Sequence, residues 1–279
     1  MTVVLAAIAG AVATLVLLVT ASSLIEHPSL RRESHRGRVL PTAGGLVLVA
    51  AVIAVDGGRT VGAMLGVGDV ATVPARVQML VAVVAFGFLG LVDDLLGDAN
   101  DRGLRGHLAA ALHGRVTTGF LKLGGGAAVA LALAGSVDGS HTGRVIVDAA
   151  VVALAANLAN LLDRAPGRTL KWSLVAYLPI AVVAGTSPAG IALGVVAGSA
   201  AALLLGDLRE AFMLGDTGAN ALGAALGLGA VLTASPGART AVAVVLLFLT
   251  LVSEVVSFSR IIERVPPLRA FDGLGRRAG

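Results

Sequence analysis

The sequence predicts an all-α fold: a polytopic membrane bundle of about nine transmembrane helices, with the N-terminus outside and the C-terminus inside. Three observations carry that prediction. The chain is 56% apolar and only 14% charged, with a mean hydropathy of +0.91, whereas soluble domains carry about 25% charge. Its apolar residues arrive in blocks close to the ~20 residues needed to cross a hydrocarbon core. Its basic residues fall almost entirely on one side of the alternating loops.

Hydropathy places the spans at 2–25, 42–56, 78–96, 118–137, 145–162, 171–186, 188–206, 217–234 and 238–260. The first lacks a basic segment ahead of its apolar stretch, so it reads as a retained span rather than a cleaved signal peptide. The second and sixth are short and border segments rich in Gly, Pro or polar residues. Nothing between the spans is long enough for a soluble domain, so residues 1–279 form one membrane domain. One set of loops is 26–41, 97–117, 163–171, 206–216 and the tail 261–279. Counted with Lys122 and Arg260 at span ends, this set holds 17 of the 21 basic residues. Arg59, Arg76, Arg144 and Arg239 make up the other set. Cytoplasmic loops retain Lys and Arg, so the first set is assigned to the inside of the plasma (inner) membrane. Within 101–117, Leu104, Leu108 and Leu112 recur every four residues among arginines and histidines, the pattern of a helix lying in the interface.

Composition also excludes chemistries. With no cysteine there is neither a disulfide framework nor a thiolate metal site. The high pI does not point to nucleic acid, because the charge is dispersed in short loops and aromatics are 3%.

Acidic residues near a bilayer are costly unless paired or hydrated, and so are functional candidates by default. GFLGLVDDLLGD puts Asp93 and Asp94 at the inner end of the third span, and adjacent carboxylates repel unless a cation or proton sits between them. NLANLLD sets Asn157, Asn160 and Asp163 three residues apart on one helical face at the end of the fifth. FMLGDTGANALG places Asp216 between Gly215 and Gly218 just before the eighth. Three acidic clusters on one membrane face suit Mg²⁺, with Mn²⁺ as a substitute, since Mg²⁺ takes one or two carboxylates plus substrate phosphates. The Gly-flanked turn before the eighth span would let backbone N–H groups approach a phosphate. Arg31, Arg32, Arg36, Arg38, Arg164, Arg168 and Lys171 in the same loops would meet a pyrophosphate. Asp148 reads as a hydrated outer residue. Glu254 reads equally as a partner of Arg260 or a cavity residue.

Four of these stretches, RGRVLPTAGG, LGLVDDLLGD, NLANLLD and FMLGDTGANALG, occur in an order that resembles the polyprenyl-phosphate N-acetylhexosamine-1-phosphate transferase superfamily. That superfamily includes phospho-N-acetylmuramoyl-pentapeptide transferase and UDP-GlcNAc:undecaprenyl-phosphate GlcNAc-1-phosphate transferases. The resemblance covers residues 36–223. It implies Mg²⁺-dependent transfer of a phosphosugar from a UDP-sugar to a polyprenyl phosphate at the cytoplasmic face, in cell-wall or envelope-glycan assembly. It implies catalytic and metal-binding roles for Asp93, Asp94 and Asp216. It also implies a nucleotide-sugar site around Asn157, Asn160 and Asp163. Two departures stand out. The third motif, usually DG, a variable residue, then DG, here continues from Asp163 as Arg164, Ala165, Pro166 and Gly167. A histidine-rich loop after the ninth span is absent, and Arg269 is its nearest basic counterpart. A catalytically impaired relative that binds lipid phosphate or nucleotide within an envelope complex is therefore the second reading. Whether the chain forms a homodimer is left open.

Overall fold

The computed structural model describes residues 1–34, 36–67, 72–97 and 117–276. Residues 101–116 of the expected interfacial helix, and Asp98 of LGLVDDLLGD, lie outside these. The described chain is a helical bundle. Its elements in order are α1 (Val3–Thr20), α2 (Ser22–Ile25), strands β1 (Arg31–Glu33) and β2 (Val39–Pro41), α3 (Gly44–Met64), α4 (Val73–Leu96), α5 (Thr118–Asp138), α6 (Thr142–Leu162), α7 (Arg168–Ala184), α8 (Pro188–Leu208), α9 (Gly215–Thr233), α10 (Pro236–Val255), α11 (Phe258–Arg264) and α12 (Pro266–Gly273). By length and composition α1, α3, α4, α5, α6, α8 and α10 can each cross a membrane, which makes this a multi-pass membrane protein. Beside them run α7, of 17 residues, and α9, of 19.

Several boundaries differ from the hydropathy reading. The third helix continues past residue 56 to Met64 because its charges are paired. Arg76 Nε donates to Asp56 Oδ1 at 2.7 Å, and the same guanidinium reaches the Asp56 carbonyl and Thr60. The first span ends at Thr20, and the last stops at Val255 before α11 begins at Phe258. The loop 26–41 also carries a hairpin, β1 antiparallel to β2 with Arg32 opposite Leu40.

The bundle is organised around α9. From Thr217 to Val231 every residue is buried, the mark of a helix surrounded by other helices. It packs on α3, α4, α6, α7 and α8, and its glycines allow the close approach. A Cβ on Gly218 would lie 2.7 Å from the Gly45 Cα, one on Gly223 2.4 Å from the Ala155 carbonyl oxygen, and one on Gly227 2.8 Å from the Val152 Cα. The α1–α8 pair uses the same device, as small-xxx-small packing does in membranes: Gly10 sits against the Val195 carbonyl and Gly198 against that of Ala7. At the other extreme, α10 buries no residue and rests chiefly on α6.

The loops assigned inside meet at one end of the bundle. Met213 N donates to the Pro41 carbonyl, Arg32 to the Leu95 carbonyl, and Gly167 N to the Asp207 carboxylate. At the opposite end Asp148 corrects its reading as a hydrated residue. It is 1% exposed and paired with Arg239 at 2.9 Å, because the start of α10 folds over it. Glu254 does neither of the two things expected of it; it is exposed and makes no ion pair among the described residues.

Candidate functional site

The three acidic motifs converge where α4 and α6 end and α5 and α9 begin. The convergence is built by glycines. Gly215 adopts φ +72°, a left-handed conformation that favours glycine, and a Cβ there would lie 2.9 Å from Asp94 Oδ2. Gly90, one helical turn before Asp93, would bring a Cβ within 2.2 Å of the Asp216 carbonyl oxygen. Without side chains at these two positions, the end of α4 lies directly against the first turn of α9.

Asp93 and Asp94 then do different things, because successive residues on a helix point about 100° apart. Asp94 turns toward α9. Its carboxylate accepts from the backbone N–H groups of Asp216 at 3.0 Å and Thr217 at 2.9 Å, and from the Thr217 hydroxyl at 2.7 Å. It is an N-cap supplied by another helix, satisfying donors that a helix start leaves open and complementing the dipole. This corrects the expectation that these N–H groups face a phosphate; Asp94 already holds them.

Asp93 turns instead toward Lys122, whose Nζ donates to Asp93 Oδ2 at 3.2 Å and also to Asp216 Oδ2. Asn160 completes the group. With its amide oriented to satisfy both neighbours, its nitrogen donates to Asp216 Oδ1 at 2.8 Å and its oxygen accepts from Lys122 Nζ at 3.1 Å. Asn220 fixes the Asp216 backbone through a 2.8 Å bond to its carbonyl. The cluster remains approachable: the Lys122, Asp93 and Asp216 side chains are 16%, 24% and 28% exposed.

Lys122 is the site residue that sequence reasoning missed, since it was counted only as an orientation signal. Its placement at the start of a glycine-rich helix, at the end of the bundle that holds the Asp pair, was the available clue.

Charge shows what the site can accept. The α9 N-terminus offsets Asp94, while Asp93 and Asp216 share one ammonium. Asp93 and Asp216 with their single ammonium are neutralised either by a proton held between the two carboxylates or by a further cation. Among the described residues no group of three or more His, Cys, Asp or Glu side chains surrounds a common point. The trio expected to bind metal is thus two carboxylates, Asp93 and Asp216, with Asp94 drawn off to the helix. The two carboxylates are the side chains that could hold Mg²⁺, a metal that takes one or two carboxylates and fills its remaining positions with water or substrate phosphates.

Of the other expected residues, Asp163 lies close to the cluster, and the rest have partners elsewhere or, among the described residues, none. Asp163 caps the end of α6 and accepts from the Thr169 hydroxyl at 3.1 Å. Burial pushes its carboxyl well above the usual range, and the Asp207 and Asp216 carboxylates add to the shift. Asn157 is half-buried and makes no side-chain hydrogen bond among the described residues. Arg36 and Arg38 both pair with buried Glu210, Arg36 at 3.1 Å. Lys171 serves the chain itself: its Nζ donates to the carbonyls of Phe271 (3.0 Å), Asp272 and Leu274 (3.1 Å), capping the end of α12. Arg168 forms a two-pronged pair with Asp272, both bonds at 2.9 Å. Arg269 is exposed on α12. The tail therefore takes up Arg168 and Lys171, two of the cations that a pyrophosphate was expected to meet.

No model of a known protein family matches the chain, and no curated protein sequence matches it.

Proposed function

We propose that the chain transfers a phosphosugar from a UDP-sugar, of the N-acetylhexosamine kind, to a polyprenyl phosphate at the cytoplasmic face of the plasma membrane. The polypeptide would cross the bilayer nine times, α7 and α9 included, with its N-terminus outside. The observation that carries the reading is the meeting of Asp93, Asp216, Asn160 and Lys122, from four separate helices, at one point.

In this reaction a lipid-phosphate oxygen attacks the sugar-bearing phosphorus. That P–O bond forms as the bond to the departing UMP breaks. Asp93 and Asp216 would hold Mg²⁺, and the ion when bound supplies charge neutralisation of the diphosphate. A carboxylate of the group accepts any proton remaining on the lipid phosphate. Lys122, already poised between the carboxylates, carries a positive charge to the phosphoryl oxygens. Asn160 orients Asp216, and Asp94 holds Asp216 in place through the α9 backbone.

The test uses purified full-length protein in detergent with polyprenyl phosphate, Mg²⁺ and a panel of radiolabelled UDP-sugars. Label should pass to the lipid, and Asp93→Asn and Asp216→Asn should each lower the rate by about 10²-fold or more. Absence of turnover across the panel would overturn the assignment.

The engagement of Arg168 and Lys171 by the tail favours a second reading, a relative that binds lipid phosphate or nucleotide without turnover inside an envelope complex. Nucleotide binding that requires Mg²⁺ and is lost in Asp216→Asn, together with no turnover, would select it.

A further inference from the structure

A second concentration of charge lies outside the carboxylate cluster. Between the end of α6, the end of α10 and the helices α11 and α12 is a cavity of about 660 Å³. Four arginines line it: Arg164, Arg168, Arg269 and Arg276. Two acids, Asp272 and Glu263, share the lining, but Asp272 is already spoken for. Burial alone would raise its carboxyl, yet the Arg168 and Arg276 guanidiniums hold it below the usual range. What remains is asymmetric. Arg164 and Arg269 are exposed and make no side-chain ion pair or hydrogen bond among the described residues. One terminal nitrogen of Arg276, Nη2, is buried and has an ion-pair contact but no hydrogen bond of good geometry. Ser257 adds a hydroxyl to the same wall. Guanidinium forks converging on a roomy cavity are the arrangement that recognises phosphate oxygens in pairs.

We propose that this cavity is a binding site for a phosphate-bearing anion, held by Arg164, Arg269 and Arg276 with Arg168 as the buried base of the site. The shared chemistry is a phosphomonoester or phosphodiester group. Two sources can present it, the headgroup of an anionic lipid or a soluble phosphate. The uncovered apolar side of α10, ending at Val255 (84% exposed), brings the bilayer to the cavity mouth in the nine-span arrangement. Arg164 and Arg168 are among the cations that the sequence offers to a pyrophosphate, but none of the site's residues belongs to the Asp93–Lys122–Asp216 group, so anion binding here can be tested apart from transfer.

The molecule carries its own reporter. Trp172 is the sole tryptophan, and its ring meets Phe271 of α12 edge-on at 4.9 Å. Full-length protein in neutral detergent is titrated with short-chain phosphatidic acid, with inorganic phosphate, and with short-chain phosphatidylcholine, while Trp172 fluorescence and thermal stability are followed. A saturable response to phosphatidic acid alone supports a lipid-headgroup site. A response to inorganic phosphate as well supports a soluble-anion site. The double variant Arg164→Ala/Arg269→Ala should bind at least about tenfold more weakly, the loss of two charge-assisted contacts. Arg164→Lys/Arg269→Lys should recover part of that binding and guards against misfolding of the first variant. Asp93→Asn should bind the anion as the wild type does, so failure of the transfer assignment leaves this site standing. The proposal is overturned if neither anion gives a saturable response, if phosphatidylcholine does equally well, or if the alanine pair binds like the wild type.

Discussion

Asp93 and Asp94 are neighbours of identical chemistry, and the structure predicts opposite consequences for removing them. Asp94 accepts three hydrogen bonds at the start of the central helix α9, from two backbone N–H groups and the Thr217 hydroxyl. Asp94→Ala leaves all three donors facing an apolar methyl. Loss of a helix cap costs about 0.5–2 kcal/mol, and hydrogen bonds to a charged acceptor contribute about 1.5–3 kcal/mol apiece in favourable cases. Because the three donors share one carboxylate, the combined loss is about 3 kcal/mol. For a chain of this size that corresponds to roughly 6–12 °C in Tm. Asp94→Asn keeps an acceptor oxygen and should lose only about a third as much. Asp93→Ala leaves Lys122 bound to Asp216 and Asn160, so its stability cost should stay near 1 kcal/mol, while any transfer activity disappears. The assay is thermal unfolding of the three purified variants in one detergent, at equal protein concentration. If Asp94→Ala melts within a degree of the wild type, or if Asp93→Ala is the less stable of the two, the division of labour between the two aspartates is refuted.

Four further outcomes are expected. Gly90→Ala would place a Cβ 2.2 Å from the Asp216 carbonyl, forcing α4 and α9 apart by about 1 Å at a cost of about 1–3 kcal/mol. Gly124→Ala, with nothing within 4 Å, should be neutral or slightly stabilising in the same melting assay. Lys122→Gln leaves the Asp93 and Asp216 carboxylates repelling each other, so Tm should fall and millimolar Mg²⁺ should restore part of it; identical melting in Mg²⁺ and in chelator would count against the shared charge site. Asp272 has a depressed carboxyl in the folded chain, so its contribution is present above the ordinary carboxylate pKa of about 4 and is lost as pH falls through the lower folded value. Proteolytic release of the tail should therefore rise on acidification, and Asp272→Asn should show that release already at neutral pH.

What the chain's residues determined alone was the class of architecture. Apolar blocks of about 20 residues cannot be hidden in a soluble globule of this size. With water excluded, such blocks must form helices that satisfy their own backbones. The one-sided arginines indicated which loops share an end, and hydrogen bonds joining Pro41 to Met213, Arg32 to Leu95 and Gly167 to Asp207 bring several of those loops together. The aspartates were legible as well, because charge at a helix end in an apolar chain is conspicuous. Their tasks were not. Whether Asp94 caps a helix or faces a ligand depends on where α9 starts relative to α4, a distance set by Gly90 lying against Asp216 and Gly215 against Asp94, residues remote in the chain. Lys122 and Asn160 joined the site, and Arg168 and Lys171 left it for the tail, for the same reason. A side chain's partners are fixed by the packing of helices remote in sequence, and periodicity along one helix carries no information about the neighbour it will face.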